Sequence, residues 1–135
     1  MQRKGGQGRV SIDNSTPLRI WQSECIPILG KLAATLAILE RSMLGGPAAL
    51  ISASDQFSAV VAESVPWLVG HRCPVGDIDV VLARLFHSVA SLSVALGNEA
   101  RRQAGPDLKV VNQEFETVMC LVRETWTLMC EHAGN

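Results

Sequence analysis

One segment limits what this chain can fold into more than any other. From Asp77 to Arg102 the residues Ile78, Leu82, Leu85, Val89, Leu92 and Leu96 recur at steps of 4, 3, 4, 3 and 4. That spacing returns a side chain to the same face of an α-helix, so it specifies a long helix with a continuous apolar seam. The other side of the same helix carries no formal charge from Leu85 to Asn98. A bundle helix that showed its far side to water would be expected to carry charge there. The segment is therefore either central in the fold or covered by a partner.

The remaining chain supplies helices to cover the seam. Ser15-Thr16-Pro17 reads as a helix start, with a hydroxyl cap and proline at the first helical position. A first helix then runs to about residue 44, with Leu18, Trp21, Cys25, Ile28, Leu32, Leu36, Leu39 and Met43 on one stripe. Pro27 lies inside it, so the helix is expected to kink or split there. Gly45-Gly46-Pro47 ends that helix and opens a second, which Pro66 is expected to close after Val65. A Pro- and Gly-rich linker leads to Asp77, read as the N-cap of the third helix, which runs to about Arg102. Ala104-Gly105-Pro106-Asp107 makes the last turn. The fourth helix, about 106–133, has Leu108, Val111, Phe115, Val118, Val122, Trp126 and Met129 as its stripe.

No strand pattern interrupts this series. The fold class is all-α, an antiparallel up-and-down bundle of four main helices, with the first kinked or split at Pro27. Residues 1–15 are expected to be a flexible tail and 16–133 a single domain. The chain has 135 residues, 47% hydrophobic and 19% charged, enough to bury a core without disulfides or metal. Only 4% of residues are aromatic, so Leu, Val, Ile and Ala must fill that core.

Charge and motifs narrow the function classes. The formal net charge of −1 provides no global field for nucleic acid or anionic lipid. Arg3, Lys4 and Arg9 form a local basic run that three cations make too weak for nucleic acid. No apolar leader region is visible, and the charge-free stretch falls short of a bilayer span. A cytoplasmic protein with reduced cysteines, no nucleic-acid partner and no membrane partner is the expectation. No phosphate-binding glycine loop, nucleophile elbow or inward-facing carboxylate pair is present, so no enzymatic activity is expected.

Three candidate sites remain. The first is the uncharged face of the third helix, Val80, Ala83, His87, Ala90, Ser91 and Val94, expected to make a homodimer or to hold a partner's helix. Adaptor, chaperone and inhibitor roles all fit it. The second is a zinc site at one end of the bundle. His71 and Cys73 in the linker and Cys130 and His132 near the end of the fourth helix make a two-Cys, two-His set, which the predicted topology places at the same end. The one-residue spacing within each pair departs from the usual two to four. The third is His87 itself. A histidine on a bundle helix followed by Leu96 and Gly97 resembles the histidine phosphotransfer domains, which carry Lys and Gly where Ala90 and Ser91 stand here. That resemblance implies a degenerate phosphotransfer-like domain using His87.

Overall fold

The computed structural model describes residues 15–133, with side chains from 17 to 132. The tail expected over 1–15 lies almost wholly outside the described residues. Four helices follow one another: α1 (Ser15–Ser42), α2 (Pro47–Gly70), α3 (Gly76–Ala100) and α4 (Leu108–Ala133). Gly46 at φ 89° and Gly105 at φ 95° occupy the left-handed region at the two tight turns, where a β-carbon would be strained. Backbones approach along four sides, α1–α2, α2–α3, α3–α4 and α4–α1, and not along the diagonals. The chain is thus an all-α antiparallel bundle with its helices at the corners of a square.

The seam of α3 is the centre of the core. Ile78, Leu85, Val89, Leu92 and Leu96 have no exposed surface, and Leu82 has 2%. α2 meets it through Leu50, Ala53, Phe57 and Val60, and α4 through Val111, Phe115, Val118 and Leu121. α2 comes close to α3 because the meeting residues are small. Ser54 Oγ donates to the Ser93 carbonyl at 2.8 Å, Ser93 Oγ donates to the Ser54 carbonyl at 2.9 Å, and Ser58 Oγ lies 2.6 Å from Ser93 Oγ. These reciprocal bonds satisfy polar groups that would otherwise be costly between two helices.

Neither internal proline ends its helix. α1 is one unbroken helix of 28 residues, so the split at Pro27 does not occur. Pro27 is exposed. The Ser23 carbonyl that it leaves without a helical donor can face solvent, while Leu18, Trp21, Cys25, Leu29, Leu32, Leu36 and Leu39 stay on one buried stripe. Likewise α2 does not stop at Val65 but continues through exposed Pro66 to Gly70. Trp67 and Leu68 in the added turn pack against the core and hold it helical.

Two details of register also differ. Asp77 is not the cap of α3; Val75 holds that position, without a side-chain cap bond, and Asp77 lies in the first turn. In α4 the buried stripe passes through Leu121 and Thr125, while Val122 is half-buried and Trp126 is 36% exposed. Val111, Val118 and Thr125 stand at successive seven-residue steps and share one face of the helix, from which Trp126 is turned about 100° further. Thr125 is tolerated at 0% exposure because its hydroxyl donates to the Leu121 carbonyl at 2.7 Å.

Two neighbouring positions should separate core from surface. Leu92→Ala should cost about 2–5 kcal/mol of unfolding free energy in a urea titration, and Val94→Ala should stay within about 0.5 kcal/mol.

Candidate functional site

The outer side of α3 is built from what the core leaves over. With its seam turned inward and its flanks packed on α2 and α4, only one strip of α3 reaches water. Val80 is 60% exposed and Val94 62%. Ala83 and His87 are exposed between them, and Ala90 and Ser91 are half-buried. The sequence-predicted face is thus one contiguous, accessible strip. Arg84 is the charged residue beside it, directed sideways to Glu124 of α4 at 4.0 Å.

Grooves flank the strip. Between α2 and α3 a groove of about 470 Å³ is walled by Val61, Val65, Leu68, Leu82 and Phe86, with the Arg72–Asp79 pair at one end and His87 at the edge. Between α3 and α4 a shallower one of about 860 Å³ runs past Arg84, His87, Glu116, Cys120 and Glu124. A strip with a groove on either side has the shape of a helix-packing surface, where a ridge enters a facing groove.

The four residues of the zinc hypothesis are not brought together. Among the described residues no group of three or more His, Cys, Asp or Glu side chains converges as a metal would need. The predicted topology does put the linker and the end of α4 at one end of the bundle, but α1 stands between them. Trp21 Nε1 donates to the His71 carbonyl at 2.6 Å, and Gln22 Nε2 donates to the Met129 carbonyl at 3.2 Å. Cys73 is buried while Cys130 is exposed on α4. His71 stacks on Trp67, ring centres 4.7 Å apart and 9° from parallel, and Trp67 in turn lies 6.1 Å from Trp21. His71 Nδ1 lies 2.9 Å from the Trp67 carbonyl. The linker is an aromatic clasp on α1, and its residues are engaged in that task.

Asp79 completes the clasp and was not singled out by sequence. Its carboxylate accepts from Arg72 Nε at 2.8 Å, also from Arg72 Nη2, and from the Cys73 backbone N–H at 3.3 Å. The Arg72 hydrogen bond holds the Asp79 carboxyl below its usual range, with the Cys73 N–H adding to it and partial burial opposing. No spacing signal distinguishes Asp79 from Asp77, because its partners come from a linker without helical period. Burial pushes the Cys25 thiol up to about 12, with Cys73 nearby adding to the rise, and burial likewise raises Cys73.

Among the described residues two helices meet the length and composition of a membrane span: Pro17–Ser42 with mean hydropathy 1.2, and Gly76–Ala100 with 1.6. The charge-free stretch from Leu85 to Asn98 is shorter than a span, whereas the whole of α3, which includes Arg84, meets that length and composition. In the bundle 56% of the apolar window of α3 is buried against its neighbours.

Thiol chemistry and titration check this geometry. An aromatic disulfide reagent at mild alkaline pH should label Cys120 and Cys130 in the native protein and reach Cys25 and Cys73 only after denaturation, because a buried thiol with a raised pKa yields little thiolate. Asp79 has a folded pKa below its unfolded one, so its contribution is present above the ordinary carboxylate value of about 4 and is lost as pH falls through the lowered one. Arg72→Ala should move the Asp79 titration upward in carboxyl NMR, and salt should shrink the effect because Arg72 is exposed. Comparison with models of known families, with curated proteins and with solved structures finds no match to this chain.

Proposed function

We propose that this chain is a non-enzymatic helical interaction module that associates with a second copy of itself through the uncharged face of α3. It would act as an adaptor, chaperone or inhibitor-like subunit in the cytoplasm. The observation that supports this reading is the accessible strip from Val80 to Val94, with both valines about three-fifths exposed and His87 between them. Exposed single apolar residues are ordinary, but a row of them without charge on a helix that is also the centre of the core is a sign of association. A soluble setting is supported by the use of most of the apolar window of α3 in the core.

A second reading is favoured by one observation. The His87 ring is exposed, as a phosphate acceptor must be. The cation that could stabilise added phosphate, Arg84, is turned to Glu124, and Glu116 shares the groove, so self-association is the better supported of the two. Acid-labile phosphate on the wild type but not on His87→Ala, after treatment with acetyl phosphate, would reverse that order.

Sedimentation velocity should give a dimer for the wild type and a monomer for Val94→Glu with an unchanged thermal midpoint. A wild type that stays monomeric at about 100 μM, where even weak specific pairs associate, overturns the reading.

A further inference from the structure

Cys25 of α1 and Cys73 of the α2–α3 linker stand 48 residues apart in the chain and enter the same core cluster. Cys25 is 0% exposed and Cys73 8%. One contact fixes how they lie. Trp21 Nε1 donates to the His71 carbonyl at 2.6 Å, which ties α1 to the linker. Cys25 follows Trp21 by one turn on the same buried stripe, about 6 Å along the axis. Cys73 follows His71 by two residues, at most about 7 Å of chain. α1 and α2 run antiparallel, so the linker after α2 lies at the N-terminal end of α1. A helical Cα–Cβ bond tilts toward the helix N-terminus, which leans the Cys25 side chain toward the linker.

The linker presents Cys73 from the other side. Its backbone N–H donates to the Asp79 carboxylate at 3.3 Å, and Arg72 before it donates to the same carboxylate at 2.8 Å. The linker is thus anchored to the first turn of α3 while the Cys73 side chain turns into the core. The two thiols are close enough to interact electrically: burial raises the Cys25 thiol to about 12, and Cys73 adds to the rise. Cys120 and Cys130 are exposed on α4, and Trp21 and Gln22 of α1 separate Cys130 from the linker. Cys25 is therefore the cysteine within reach of Cys73. A single buried cysteine is an ordinary small apolar side chain. Two of them drawn together from distant segments also make a dithiol, and Cys73 keeps a small opening to solvent.

We propose that Cys25 and Cys73 are a dithiol that peroxide converts to a disulfide, fastening α1 covalently to the linker. Size selects the oxidant: the small opening at Cys73 admits hydrogen peroxide and excludes a bulky disulfide. The Cys73 thiolate attacks one peroxide oxygen and the O–O bond breaks. The departing hydroxide takes up the proton that the thiol released and becomes water, leaving a sulfenic acid on Cys73. Cys25 then loses its proton and attacks the Cys73 sulfur; the S–O bond breaks and the second hydroxide leaves as water. The two sulfurs give up two electrons and the peroxide accepts them. Buried thiols ionise little at neutral pH, so the step is slow, and exposed Cys120 and Cys130 are oxidised first. The pair therefore responds to prolonged exposure and not to a brief pulse. Reduced, α1 is held here by the Trp21 hydrogen bond and the Trp21–Trp67 ring contact; oxidised, it cannot leave the linker. The new bond closes a loop that contains all of α2, which restricts the unfolded chain.

In a full-length Cys120→Ser, Cys130→Ser chain only this pair remains. A day in about 1 mM hydrogen peroxide should lower the intact mass by two hydrogens and join the Cys25 and Cys73 peptides in a digest. The melting midpoint should rise by roughly 10 °C over the untreated chain. Adding Cys73→Ser should abolish that rise, and a rise that persists overturns the proposal. So does added oxygen without a joined peptide. A second measurement needs no peroxide. After refolding in glutathione buffers, the native chain should favour the disulfide about 100-fold more than the same chain in urea. An equal or weaker preference overturns the pairing. Two free thiols after the day in peroxide, with that preference intact, overturn peroxide as the oxidant.

Discussion

The apolar seam of α3 has to be covered on every side that a neighbour can reach, and the bundle is arranged around that requirement. Five of its six seam residues have no exposed surface at all. At about 25 cal/mol for each Å² removed from water, a run of fully buried Leu, Val and Ile side chains is the largest favourable contribution this chain has available. Three helices suffice to cover it, and their number leaves one strip of α3 outside. The candidate interaction surface is therefore a geometric remainder: a helix at the corner of a square bundle shows its outer quarter to water whatever that quarter contains.

Much of this could be read before the structure. Helical spacing gave all four helices, because apolar periodicity reports which face is buried without needing to know what buries it. The seam of α3 is the best case, since every residue in it was assigned by spacing alone and every one is buried. The outer strip was legible for the same reason in reverse, as the positions that a seam excludes.

What spacing missed depends on contacts distant in sequence. Pro27 and Pro66 are strong local stop signals, yet both are exposed, so the carbonyls they orphan lose little, and the anchoring of Trp67 and Leu68 in the core outweighs that loss. Leu121 and Thr125 are buried where spacing chose Val122 and Trp126, and the Thr125 hydroxyl is satisfied by the Leu121 carbonyl of its own helix, which apolar spacing does not anticipate. The His71, Cys73, Cys130 and His132 set failed for another reason. Topology brought the right segments to one end, but it also brought Trp21 and Gln22 of α1 between them, and composition does not show what occupies a space.

The contrast between the two sides of α2 bears on how this sequence can drift over generations. Toward α3, α2 presents Ser54, Ser58 and Ala53, and the backbones close on one another; toward α1, large leucines such as Leu32, Leu36 and Leu39 keep the axes apart. A wide, leucine-filled seam tolerates exchange among Leu, Ile and Met, since neighbours can repack around a side chain of similar volume. A narrow seam built on hydroxyl-to-carbonyl bonds has no such slack, because one added methylene forces whole helices apart. Descendants of this chain should vary freely along the α1 side and hold Ser54, Ser93 and Gly97 nearly fixed. A distant relative would then be recognised by that small-residue spacing sooner than by its leucines.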